Sequence, residues 1–114
     1  MPTEIGLLTK LTRLLMGNSN QDGDIPTELG RLTALTMMHL ASNAMGGSIP
    51  TEIGEMAALE ELLLCCNKPD NGFTGSLPTQ LGQLTTLTKL LLHKNQLIGD
   101  VPTEIGSLTA LLEL

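Results

Sequence analysis

The hexapeptide Ile25-Pro26-Thr27-Glu28-Leu29-Gly30 returns along the chain with few changes, and this repetition constrains the fold more than any other feature. It recurs as Ile49-Pro50-Thr51-Glu52-Ile53-Gly54, Leu77-Pro78-Thr79-Gln80-Leu81-Gly82 and Val101-Pro102-Thr103-Glu104-Ile105-Gly106, with a shorter first copy at Pro2-Thr3-Glu4-Ile5-Gly6. The prolines stand at positions 2, 26, 50, 78 and 102, a step of 24 residues broken by one step of 28. A fixed step of this size marks a solenoid, in which each unit buries its apolar face only against its neighbours. The 114 residues hold between four and five units, enough for one stacked domain over residues 1–114. Met1 leads into the middle of a unit and Leu114 stops inside one, so an incomplete piece is expected. Leu11, Leu14 and Met16 at one end, and Leu111 and Leu114 at the other, are then expected to lack polar caps and to favour self-association or fraying.

Within the second unit, apolar residues at 35, 38, 40, 45 and 49 frame Asn43. Leu87, Leu90, Leu92, Asn95, Leu97 and Val101 repeat that frame in the fourth. Around Met38-His39-Leu40 the side chains alternate with period two, as in a short half-buried strand. Beyond it Asn, Gly and Pro force turns, and no window suits a regular helix of ordinary length. Pro before Thr-Glu suits the first position of a helical turn, and the following Gly suits its end. The recurring Thr and Glu are expected to satisfy or complement the free N–H groups of that turn. This role is preferred over the two functions that stacked Thr and Glu columns suggest, ice binding and Ca²⁺ binding.

Composition narrows the function. The only aromatic residue is Phe73 and the net charge is −6, so the chain lacks both stacking rings and the clustered cations that phosphate backbones require. Nucleic acid is excluded as a partner. No apolar run reaches the length of a membrane helix. Cys65 and Cys66 are adjacent, and neighbours do not form the loop-closing bridges of secreted scaffolds.

The pattern LxxLxLxxNxLxGxIPxxLGxL, in phase along the whole chain, resembles the plant-type leucine-rich repeat. The resemblance implies a curved, right-handed α/β-type repeat solenoid of short parallel strands and 3₁₀ or irregular turns. A concave sheet, a second short strand on the flank and a ladder of buried asparagines are also implied. Asn43, Asn67 and Asn95 are the expected ladder residues, with Ser19 at the equivalent position of the first unit. In the third unit, counting from Leu59, Leu62 and Leu64 selects Asn67, whereas counting back from Leu77 and Pro78 selects Asn71. The four extra residues therefore fall within 65–72, and the turn chemistry of Pro69-Asp70-Asn71-Gly72 favours a bulge after the strand. The resemblance further implies roles like those of receptor-like kinase ectodomains and extracellular inhibitor proteins, placing the chain outside the cell or at the plasma membrane, in signal transduction. No kinase, transmembrane or cysteine-cap segment lies within these residues.

The residues between the buried leucines are expected to face the concave side. Leu15, His39, Leu63 and Leu91 form an apolar column, flanked by Arg13, Met37, Glu61 and Lys89, with Cys65 and His93 sharing a further column. Apolar surface rimmed by polar groups is how a protein or peptide contact site looks. These ten residues are the candidate binding face, and a recognition module is expected. The alternative is a structural spacer with no ligand of its own. A third reading, an enzyme or metal site, rests on Cys65, Cys66 and His93. Two of these donors are sequence neighbours, a fourth is lacking, and no orienting carboxylate or oxyanion donor is evident. The sequence therefore assigns no catalytic, cofactor or metal residue.

Overall fold

The structure, a computed structural model, describes residues 1–67 and 72–114. The favoured bulge at Pro69–Gly72 lies almost wholly outside the described residues, as does Asn71. Each unit contributes a three-residue strand, a short flank strand and a five-residue 3₁₀ turn. In chain order the strands are β1 (Arg13–Leu15), β2 (Asp22–Asp24), β3 (Met37–His39), β4 (Ala44–Gly46), β5 (Glu61–Leu63), β6 (Thr74–Gly75), β7 (Lys89–Leu91) and β8 (Gln96–Leu97). β1, β3, β5 and β7 form one parallel sheet in that order, while β2–β4 and β6–β8 make two small parallel ladders on the flank. The 3₁₀ turns, Thr3–Leu7, Thr27–Arg31, Thr51–Glu55, Thr79–Gln83 and Thr103–Ser107, stack along the opposite side.

Register in the four-stranded sheet follows the sequence step, whereas the flank ladders pair residues 22 apart. Leu14, Met38, Leu62 and Leu90 are mutually paired and buried, each at the centre of its strand, so the residues beside them must face outward. Leu35, Leu59 and Leu87 before the strands, and Leu40 and Leu64 after them, also turn inward, and Leu29, Ile53 and Leu81 close the layer from the 3₁₀ turns. Phe73 fills the position held by Met45 and Leu97 in neighbouring units and is fully buried. At roughly 1.5–3 kcal/mol per buried aliphatic side chain, each layer supplies several favourable terms that depend on the layer beside it.

The asparagines complete the inner turn. Asn43 Nδ2 donates to the carbonyls of Leu40 (2.9 Å) and Met16 (2.8 Å), and its Oδ1 accepts from the Ser19 and Gln21 amides (3.0 Å each). Asn95 likewise donates to Leu92 (2.7 Å) and Leu64 (3.0 Å) and accepts from the Phe73 amide (3.1 Å). Asn67 donates to Leu64, three residues back, at 2.7 Å, the same local bond that the other two make. Its Oδ1 is buried with no hydrogen-bond partner among the described residues.

Two local expectations need correction. The prolines sit at the N-caps in extended conformation, and no side chain caps any of these turns. Each Thr hydroxyl instead donates to the adjacent Glu or Gln side chain at 3.1–3.5 Å. The glycines do not end the turns but lie inside them, and at Gly6, Gly30, Gly54 and Gly82 the next unit leaves no room for a Cβ. A Cβ on Gly54 would stand 2.6 Å from the Gln80 carbonyl oxygen. Of the end residues expected to lack polar caps, Leu14 is buried, Leu11, Met16 and Leu111 are partly covered and Leu114 is exposed; Leu7, Leu8 and Leu112, outside that expectation, are exposed as well.

Candidate functional site

The concave sheet lines up side chains from different units at the spacing of adjacent strands, about 4.8 Å. Leu15, His39, Leu63 and Leu91 are register partners and form one column, and Arg13, Met37, Glu61 and Lys89 form the column beside it. Leu15 is half exposed, while His39, Leu63 and Leu91 are intermediate. The two columns are linked. Between them, His39 Nε2 lies 2.7 Å from Glu61 Oε2, and within the second column Lys89 Nζ lies 2.7 Å from Glu113 Oε2. The hydrogen bond to Glu113 holds the Lys89 ammonium above its ordinary pKa, against a smaller opposing effect of desolvation.

Glu113 is a member of this column that sequence reasoning missed. It bridges to Lys89 in parallel, and its carbonyl accepts the Leu90 amide at 2.9 Å. The available signal is the step itself, since Glu113 lies 24 residues after Lys89. The result is a face with a largely apolar lane next to a lane in which Arg13, Glu61, Lys89 and Glu113 alternate in charge, with Met37 between the first two.

Beyond the strands the expected column changes character. The sequence pattern places Cys65 on the open face, but it is only 6% exposed, and His93 meets Cys66 instead. Cys66 Sγ is 3.4 Å from His93 Nε2, and the Cys66 amide donates to the His93 carbonyl at 3.0 Å. The physical reason is a backbone turn. Asn18, Ser42, Cys66 and Lys94, equivalent in successive units, all have φ between 54° and 62°. A left-handed residue breaks the in–out alternation of a strand, so the sulfurs of two adjacent cysteines end on the same side. The donor atoms of Cys65, Cys66 and His93 all lie within 4.8 Å of one another. Burial pushes the Cys65 thiol pKa up, reinforced by Cys66, and a backbone hydrogen bond and the Lys94 charge offset this only in part.

An apolar recess of about 310 Å³, lined by Leu92, Leu97, Val101 and Leu114 among others, opens at the far edge of the stack. Its lining mixes buried Leu90 with the exposed Val101, His93 and Leu114, and does not include Leu15, His39 or Leu63. Among the described residues, no helix is long and apolar enough to cross a membrane.

These features define a leucine-rich solenoid with a strand-built concave face. The family model described as Leucine Rich Repeat matches residues 86–108. No curated protein matches the chain in sequence. Among solved structures, the chain is 40% identical to the leucine-rich repeat ectodomain of the membrane receptor kinase GASSHO1/SCHENGEN3 from Arabidopsis thaliana, in complex with CASPARIAN STRIP INTEGRITY FACTOR 2. That match covers 97% of this chain and 13% of the receptor, with a TM-score of 0.92. It is 35% identical to the plant peptide hormone receptor RGFR1 in complex with RGF2, over 99% of this chain and 18% of that one, with a TM-score of 0.94. A plant ice-binding protein is 31% identical over 94% of this chain and 34% of its own, with a TM-score of 0.84. The chain is a plant-type leucine-rich repeat solenoid, and it spans less than a fifth of the length of either receptor chain.

Proposed function

We propose that the chain is a recognition module that holds an extended peptide or protein segment across its concave sheet, outside the cell, as part of a receptor-type protein, with no catalysis of its own. The observation that carries this reading is the lane of Leu15, His39, Leu63 and Leu91 beside the charged lane of Arg13, Glu61, Lys89 and Glu113. An extended segment also repeats its side chains along one direction, so apolar residues fit the first lane while polar ones pair with the second. The similarity to ectodomains solved with CASPARIAN STRIP INTEGRITY FACTOR 2 and with RGF2 supports the same reading. The likeness to an ice-binding protein does not favour ice as the ligand here, because the Thr hydroxyls that would form a regular face donate to their neighbouring Glu and Gln side chains.

A peptide library displayed on phage and selected against the chain tests this. Selected peptides should bind the unaltered chain and lose at least 10-fold in affinity to Leu63→Glu or Leu91→Glu, the loss typical of a central contact worth more than about 1.4 kcal/mol. Thermal unfolding should show both variants folded. A spacer array would yield no enriched peptide, or peptides indifferent to both substitutions.

A further inference from the structure

The group formed by Cys65, Cys66 and His93 stands apart from the two recognition lanes. We propose that it is a metal site for a zinc-class ion, with two thiolates and one imidazole as protein ligands. The soft sulfurs and the ring nitrogen are the donors such an ion prefers. With bond lengths of about 2.3 Å to sulfur and about 2.0 Å to nitrogen, tetrahedral ligands stand roughly 3.8 Å apart for S···S and roughly 3.6 Å for S···N. Cys66 Sγ and His93 Nε2 are already 3.4 Å apart, and every donor pair in the group is within 4.8 Å. Closing the set around an ion thus requires side-chain movements of about 1 Å or less, within rotamer adjustment.

Position in the fold supports the assignment. The ligands come from two adjacent units, and the backbone bond from the Cys66 amide to the His93 carbonyl holds those units in register at the site. The left-handed conformation of Cys66 brings the second sulfur round to the first, which an unbroken strand prevents. His93 is exposed and Cys66 half-buried, so an ion has a path from solvent, whereas Cys65 anchors it from within. On binding, each thiol releases its proton to solvent as its S–H bond is replaced by a sulfur–metal bond, and the neutral imidazole gives a nitrogen lone pair. The fourth position stays with water or with a donor atom from a bound partner, as in open three-ligand sites.

Titration of the reduced, metal-stripped chain with Co²⁺, followed by Zn²⁺, is the test. One Co²⁺ per chain should give thiolate-to-cobalt charge-transfer absorption, abolished when one equivalent of Zn²⁺ displaces it. Removing a direct ligand should weaken binding at least about 100-fold, the upper end of what losing an outer-shell partner does. Cys66→Ser and His93→Gln are the variants of choice, because neither side chain is in the core, and thermal unfolding checks that both remain folded. Failure of the unaltered chain to take up one equivalent overturns the proposal. So does uptake that survives the two substitutions combined. Neither readout involves peptide binding, so this result and the recognition reading stand or fall separately.

Discussion

Gly54→Ala is expected to destabilise the stack although the same change at Gly106 does not. Gly54 lies inside the 3₁₀ turn Thr51–Glu55, so left-handed backbone is not the reason for glycine. A Cβ there would stand 2.6 Å from the Gln80 carbonyl oxygen and 2.8 Å from Gln80 Cβ, where ordinary contact begins at 3.4 Å. The obstacle is main chain, so relief requires the two layers to part by about 0.8 Å, and a gap of that size forfeits a quarter to a half of each contact's dispersion energy. Overpacking of this kind costs about 1–3 kcal/mol, against which alanine recovers about 0.4–1 kcal/mol by restricting the unfolded chain. The net expectation is a loss of about 1–2 kcal/mol. At Gly106 no atom lies within 4 Å of the point a Cβ would occupy, so only the favourable contribution remains. Differential scanning calorimetry at about 4 °C per kcal/mol should show Gly54→Ala melting roughly 4–8 °C lower and Gly106→Ala unchanged or slightly higher. Equal shifts for both variants would refute the close-packing argument.

Two further outcomes follow from the interior. Asn43→Ala removes an amide that makes bonds to Leu40, Met16, Ser19 and Gln21, leaving several main-chain groups without partners. A loss of about 3 kcal/mol is expected in urea unfolding, and a change below about 1 kcal/mol would contradict a structural ladder. Iodoacetamide on the native chain near neutral pH should modify Cys66 before Cys65, because Cys65 is buried and its raised pKa leaves it less thiolate at a given pH. Peptide mapping by mass spectrometry reads the order, and preferential labelling of Cys65 would contradict its burial.

Much of the architecture is legible in the sequence because the chain repeats its own constraints. The step of 24, with its single step of 28 between the third and fourth units, places Leu14, Met38, Leu62 and Leu90 at one depth, and the observed register pairs them directly. The same step brings Arg13, Met37, Glu61 and Lys89 into one lane, and followed to the end of the chain it also reaches Glu113. What the pattern does not reveal arises from departures in backbone geometry and from contacts between units. The positive φ of Cys66 cancels strand alternation, so the Cys66 sulfur lies on the same side as that of Cys65 and faces His93. Cysteine has no strong preference for that conformation, so no residue type announces it, unlike Asn18 in the first unit. Glycine after a short helical turn ordinarily marks its end, whereas here the approach of Glu28, Glu52, Gln80 and Glu104 from the next unit sets the requirement. Such a contact is invisible within any single repeat.

Hydrogen exchange with mass spectrometry, with and without a selected peptide, locates the recognition surface on the chain. Recognition across the concave sheet predicts added protection in segments containing Arg13–Leu15, Met37–His39, Glu61–Leu63 and Lys89–Leu91, with the 3₁₀ turns Thr27–Arg31 and Thr51–Glu55 unchanged. Protection confined to those turns, or to the exposed Leu112 and Leu114, would place the contact elsewhere and contradict the account.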